Sequence, residues 1–313
     1  MHLNRFLIIL ALMAVLLPRA GDPPPTPAPD AVEAELATAF FQRLQAAPGV
    51  RPLAFDLFSP EINASFVSPD GKMAVLWLAL RDDTGRVLAT EPGLALARQR
   101  DGRWQALVPG DPGWNETLAA LPEGMLPLEQ RPAPKAVGLQ AETTAALTGY
   151  YLPYAAGTAH WLEGSISHFQ DIPDLGFPSC LAEDCRYAYD FTDRDHFPLL
   201  ASKEGTVYAS RDGCPDGGTS CTNYIVLRDS IGGTYQIYLH LAQGTIPDKL
   251  TPGTPVKRGQ YLGDTDDTGY STSQHVHFMV VDSLWAGGDG YYWGHSIDVR
   301  FADVAINDGI PRT

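Results

Sequence analysis

The sequence sets two histidines, His275 and His277, on either side of one valine in S-T-S-Q-H-V-H-F-M-V-V, residues 271–281. Side chains at i and i+2 of a strand share a face, about 7 Å apart along it. Two imidazoles directed the same way belong either to a packed polar pocket or to a metal site. Three more residues have a similar setting. His168 closes S-I-S-H, Asp190 lies within R-Y-A-Y-D-F, and His240 lies within Y-Q-I-Y-L-H-L. A polar group buried in such apolar, strand-prone surroundings costs roughly 1–3 kcal/mol unless it is paired. One such histidine reads as a hydrogen-bonded core residue. Several, drawn from separate segments, point to a shared site. Catalytic zinc takes three nitrogen or oxygen ligands from the protein and keeps one position open for water. Two histidines and a carboxylate meet that need and leave histidines over for proton transfer.

These residues need strands to hold them. From 147 to 313 glycine, aspartate, threonine and tyrosine are frequent, and the apolar runs are short. G-T-V-Y-A-S, N-Y-I-V-L-R-D, G-T-Y-Q-I-Y-L-H-L-A, T-P-V-K-R-G-Q-Y-L-G and H-V-H-F-M-V-V-D each read as a strand or a strand with its turn. The expectation is a mainly β, mostly antiparallel domain of sandwich or barrel-like form. Before it, residues 31–128 read as a small α+β domain. A helix with an apolar stripe at Val32, Leu36, Phe40 and Leu44 follows Asp30, two hairpins are expected around glycine turns, and a short helix lies in N-E-T-L-A-A-L-P-E-G-M-L. No histidine lies between 31 and 159, and the acids are scattered. This part is therefore read as carrying no chemistry. Residues 129–146 read as a linker.

The chain has 313 residues and a formal charge of −15, which excludes a basic nucleic-acid surface or adhesion to anionic lipid. The unbroken apolar run Phe6–Leu17, preceded by Arg5, is too short to span a bilayer and fits a secretory signal ending near Ala20. The alternative is an uncleaved N-terminal anchor. Residues 21–30 then form a proline-rich tether. All four cysteines lie between 180 and 221, as Cys180/Cys185 and Cys214/Cys221. With a signal sequence, disulfides in an oxidising compartment are expected, as two local loops.

Three blocks together resemble the lysostaphin-type zinc endopeptidases, which cut peptide links in bacterial peptidoglycan. They are Y-A-Y-D-F with an upstream histidine, Y-L-H-L, and T-P-G-T-P-V-K-R-G-Q-Y-L-G-D-T-D-D-T-G-Y-S-T-S-Q-H-V-H-F. The last contains G-x-x-V-x-x-G-Q-x-x-G, then T-G-x-S-T, then H-x-H. The resemblance covers roughly 150–285. It implies one Zn2+ per chain held by His168, Asp190 and His277, with His240 and His275 handling protons and charge on the tetrahedral intermediate. It implies a peptidoglycan peptide as substrate and an extracytoplasmic location. The alternative is a silent domain of the same fold that binds peptidoglycan or activates another hydrolase. Such members typically lack ligands, whereas here all five positions are filled. Tyr238, two residues before His240, is a candidate oxyanion donor or a packed strand residue. The chain departs from the family pattern in the 22-residue separation of His168 and Asp190, which leaves His160 and His196 as competitors for the upstream ligand. It departs again at Asp266, where the family often has glycine. His295 is expected to be structural or exposed.

Overall fold

The structure is a computed structural model that describes residues 26–46, 54–127, 131, 146–164, 186–230, 232–287 and 290–311. The expected signal sequence, nearly all of the linker, His168, Cys180 and Cys185 lie outside the described residues.

The first part is a five-stranded antiparallel sheet in the order β1 (Thr26–Pro27), β2 (Ser59–Val67), β3 (Met73–Arg81), β4 (Gly93–Arg100), β5 (Arg103–Leu107). Helix α1 (Asp30–Ala46) buries Leu36, Phe40 and Leu44 on one face, against Ala74, Leu76, Leu78 and Leu80 of β3. Asp30 and Glu33 lie in its first turn, where the helix dipole favours negative charge. A four-residue helix, α2 (Ala54–Leu57), leads into β2. The other face of the sheet packs Val75, Trp77, Leu94 and Leu96 against Trp114 of α3 (Trp114–Ala119) and against Tyr270, from far along the chain. The short helix expected over 115–126 stops early, because Pro122 cannot continue it.

One expected hairpin is cut short. The arm expected to fold back on β3 after the Asp82–Gly85 turn does so briefly, through the Asp82 N–H to the Arg86 carbonyl, the Arg81–Val87 bridge and the Leu88 N–H to the Leu80 carbonyl, 2.9 Å, and β4 takes the pairing from Met73 to Leu78 instead. Beyond Leu88 the backbone turns its polar groups to partners outside this sheet.

The second part is an eight-stranded sheet built on β15 (Val276–Ala286). Along it run β13 (Pro255–Val256), β10 (Gly205–Arg211), β11 (Tyr224–Asp229), β12 (Tyr235–Leu239), β15, β8 (Ala188–Thr192) and β7 (Trp161–Gly164). One edge of β15 serves two partners in turn, β8 over Val276–Met279 and β16 (Tyr292–Ser296) from Val281 onward. Two small sheets complete the part. β9 (Pro198–Leu200) pairs β14 (Tyr261–Asp264), and β6 (Leu147–Tyr150) runs parallel to β17 (Val299–Phe301). The architecture is mostly β and antiparallel, as expected.

Alternation along the central strands sorts the side chains. Val276, Phe278 and Val280 of β15 join Tyr189, Phe191, Ile225, Leu227 and Tyr238 in the larger core. Met279 and Val281 face the other way, with Ala188, Ile237, Leu239 and Trp293. His277 and Asp190 fall on this second face by the same two-residue period. Of the expected disulfides, Cys214–Cys221 closes a loop before β11.

Asp266 bridges to the backbone of His275 ahead of β15. Its carboxyl is buried and is pushed up to about 7, chiefly by burial and then by Asp216 and Asp267; the His196 Nε2 lies 3.8 Å from it. An unfolded aspartate titrates near about 3.9. The neutral form therefore favours the fold fully below that value, and the advantage is lost as pH rises through about 7.

Phe278→Ala should destabilise the second part by about 3–5 kcal/mol in denaturant unfolding, since its ring packs 5.0 Å from Tyr238 and 5.9 Å from Phe301. Asp266→Asn should raise the melting temperature above pH 7, by about 2–4 °C for each kcal/mol relieved. Melts at a series of pH values should show that gain vanish as pH falls toward 4.

Candidate metal centre

His277 and Asp190 are cross-strand partners on β15 and β8, and the His277 Nδ1 lies 3.1 Å from Asp190 Oδ1. On the other side of β15, His277 pairs with Leu239, the last residue of β12. His240 comes next, with a left-handed φ of 65°. Such a backbone is uncommon outside glycine and is kept where surrounding contacts dictate it. The strand's alternation breaks there and the imidazole turns to the His277 face. The His240 ring centroid lies 4.7 Å from that of His275 and 6.5 Å from that of His277.

Tyr238 is not part of this group. It points into the opposite core, donates to Gln236 Oε1 at 2.6 Å and accepts from the Ser202 N–H at 2.8 Å. The two-residue rule that put it on the face of His240 fails because His240 is not in strand conformation.

Second contacts fix the rings. His240 Nδ1 donates to the Thr268 carbonyl at 2.8 Å, and His275 Nδ1 donates to the Ser273 carbonyl at 2.8 Å. A carbonyl can only accept, so each ring carries a proton on Nδ1 and turns its Nε2 to the site. The Thr268 hydroxyl is held in turn between the Asn223 N–H and the Leu241 carbonyl. Asn223 exchanges two hydrogen bonds with the backbone of Cys214, inside the disulfide loop. On the far side, a Cβ on Gly164 would stand 2.1 Å from Asp190 Oδ2, so only glycine leaves the carboxylate room there.

A fifth group enters from the first part of the chain. Glu91, in the stretch before β4, is buried with its Oε1 in direct contact with His277 Nδ1, 3.6 Å from His240 Nε2 and 3.9 Å from His275 Nε2. Thr90 donates its hydroxyl to Asp190 Oδ2 at 2.7 Å. The sequence reading missed Glu91 entirely. Its signal was a single acid set in the otherwise apolar stretch V-L-A-T-E-P-G-L-A-L-A, and that is too common a pattern to single it out.

Asp190, His240, His275 and His277 are all completely buried. Two buried carboxylates, Glu91 and Asp190, face three imidazoles. Their charge is balanced either by protons on the rings or by one divalent cation. Burial lowers the His240 pKa against the pull of Glu91, so this ring stays neutral. For His277 burial also acts downward, but Glu91 and Asp190 outweigh it and push the ring up to about 9. For His275 the balance between burial and the same carboxylates is a rise. The donor set fits a metal: Glu91, Asp190 and His277, and likewise Glu91, His240 and His275, offer ligand atoms within 4.8 Å of one another.

The competitor histidines lie in other surroundings. His160 stacks on Phe197 at 4.2 Å with Asp193 beside it. His196 bonds the Thr265 carbonyl at 2.7 Å. His295 pairs with Asp282 at 3.2 Å and is partly exposed.

Solved structures similar to this chain include the catalytic domain of the antimicrobial peptidase lysostaphin from Staphylococcus simulans, at 25% identity over 46% of this chain and 84% of that one, TM-score 0.26. A zinc-containing peptidase from Vibrio cholerae is 18% identical over 66% of this chain and 53% of that one, TM-score 0.31. The catalytic domain of the prophage-encoded M23 protein EnpA from Enterococcus faecalis is 20% identical over 46% and 94%, TM-score 0.31. Residues 186–287 match the family model described as Peptidase family M23, and this span includes Asp190, His240, His275 and His277. Residues 186–287, which bear the site, are thus similar to peptidase family M23, the lysostaphin-type family that the motifs resemble.

Proposed function

We propose that the chain is a secreted zinc metalloendopeptidase that hydrolyses peptide bonds in the cross-links or stem peptides of bacterial peptidoglycan. The observation that carries this reading is the buried meeting of Asp190 and His277 with two more imidazoles, inside a peptidase-family segment. Asp190 and His277 would hold zinc, with His168 as the third ligand by resemblance; His168 lies outside the described residues. When bound, zinc would lower the pKa of water to about 7 and polarise the scissile carbonyl.

The remaining work falls to this chain's residues. His240, neutral and anchored through Nδ1, suits uptake of a proton at Nε2 from the attacking water and its return to the leaving amine. His275, anchored in the same way, would bear on the charge that develops on the carbonyl oxygen. Hydrolysis then adds water across the C–N bond, with the hydroxyl on the carbonyl carbon and the proton on nitrogen.

The extracytoplasmic assignment rests on the apolar run Phe6–Leu17 and on the Cys214–Cys221 disulfide. Among the described residues no helix is long and apolar enough to cross a membrane. Residues 31–128 and 147–313 would act as two units joined by a linker.

Asp190→Ala should weaken zinc retention by more than the roughly 10–100-fold that losing an outer-shell partner costs. Metal analysis showing full occupancy in the variant would falsify its role as a ligand. His240→Ala should keep zinc and lower turnover of purified peptidoglycan by about 100-fold or more, with new peptide termini identified by mass spectrometry. A fully active variant would remove the proton-transfer role.

A further inference from the structure

The large sheet gathers tyrosines at the end of its face remote from the metal centre. Thr206 of β10, Arg228 of β11 and Tyr235 of β12 are consecutive cross-strand partners, so their side chains leave the sheet on one face. Tyr235 packs against the cluster of Ile237, Leu239 and Met279, which marks the face shared with His277. A bulge between Val207 and Ala209 turns Tyr208 out of the alternation of β10. Its ring lies 5.1 Å from that of Tyr235 and 5.6 Å from that of Tyr292 on β16, edge to face in both cases. Tyr292 in turn lies 5.6 Å from Tyr224. In this aromatic group Tyr208 remains 44% exposed.

Beside Tyr208 opens a cleft of about 490 Å³, lined among others by Thr206, Arg228, Ser230, Pro252 and Gly253. That is the size of a small-ligand pocket. The carboxylate at its wall, Asp229, is turned inward: it accepts from Gln236 at 2.6 Å, from Thr234 at 2.8 Å and from Tyr150. The cleft therefore offers a ligand an aromatic surface, hydroxyl groups and a guanidinium. A pyranose ring is the match for that set. Its C–H groups form apolar faces that lie against a tyrosine ring, and its hydroxyl and amide groups project from the edge toward donors and acceptors. The formal charge of −15 disfavours an anionic polymer in the same place.

We propose that this cleft receives a hexosamine ring of the glycan strand that bears the substrate peptide, with Tyr208 as the stacking face and Arg228 and Thr206 as donors to the oxygens at the ring's edge. Assigning the sugar to that polymer rests on the zinc peptidase reading above. The spacing supports the assignment. Leu239 is the cross-strand partner of His277, and Tyr235 stands four residues before it on β12, about 14 Å away at ~3.4 Å per residue. An extended peptide covers that distance in about four residues. A peptide bond at the metal centre and the sugar from which its chain hangs therefore reach the two places together.

The test uses the full chain in two assays. In the first, an N-acetylglucosamine oligomer is titrated into the protein by calorimetry. The wild type should bind it saturably, and Tyr208→Ala should weaken that binding by about tenfold or more, the size expected for an aromatic anchor. Tyr208→Phe keeps the ring and should keep the binding. In the second, turnover is measured on intact purified peptidoglycan and on the same cross-linked peptides freed from glycan. Tyr208→Ala should raise KM on the intact polymer by a similar factor, with kcat unchanged, and leave turnover of the freed peptides as it was. No saturable binding by the wild type overturns the proposal, as does binding that Tyr208→Ala leaves unchanged. Equal losses on the two substrates overturn it, since a merely structural role acts on both, and so does an intact polymer cleaved as well by the variant as by the wild type. Sugar binding that depends on Tyr208 in a chain that cleaves neither substrate removes the peptidase reading and keeps the sugar site. Should Tyr208→Ala fail to fold, Arg228→Ala takes its place with the same outcomes.

Discussion

The cross-strand pair of His277 and Asp190 is the contact around which the second part of the chain is organised. Both side chains are completely buried in the middle of an eight-stranded sheet. An imidazole and a carboxylate are tolerated there only because each meets a partner of suitable charge. The neighbouring features follow from that need. β7 presents glycine beside Asp190 because any side chain would collide with the carboxylate. The residue that follows β12 is a left-handed histidine because a fourth group must turn toward the same centre. Asp266 and Ser273 anchor His275 so that it enters from the loop side.

The sheet beneath this cluster is apolar on both faces. Tyr238, Phe278 and Tyr189 fill one side; Ile237, Leu239, Met279 and Trp293 fill the other. The Trp293 ring lies 4.9 Å from the His277 ring, so the imidazole has an aromatic wall behind it and carboxylates in front. Held this way, the rings lose little freedom when a ligand arrives.

Much of this was legible in the residues. Period-two alternation through Val276–Val281 puts His275 and His277 on one face, as the structure does. The texture of short strands gave the β architecture, and α1 follows its stripe at Leu36, Phe40 and Leu44. What could not be read came from tertiary contacts. Tyr238 was placed with His240 by a rule that holds only in regular strand, and the left-handed turn at His240 has no local marker of the kind glycine provides. Glu91 was invisible for a different reason. Its neighbours at the centre are roughly 100 to 190 positions away along the chain, and nothing near it in sequence speaks of histidines. The second arm of the expected hairpin after β3 failed for the same cause, since Thr272 and Glu163 take the backbone groups that β3 would have used.

The loop closed by Cys214 and Cys221 lies below this centre, linked to it through Asn223 and Thr268, whose carbonyl sets the orientation of His240. The staple thereby joins the orientation of that ring to the redox state of its surroundings. A copy folded where thiols stay reduced would lack the covalent brace under that carbonyl, and its imidazole would be free to wander.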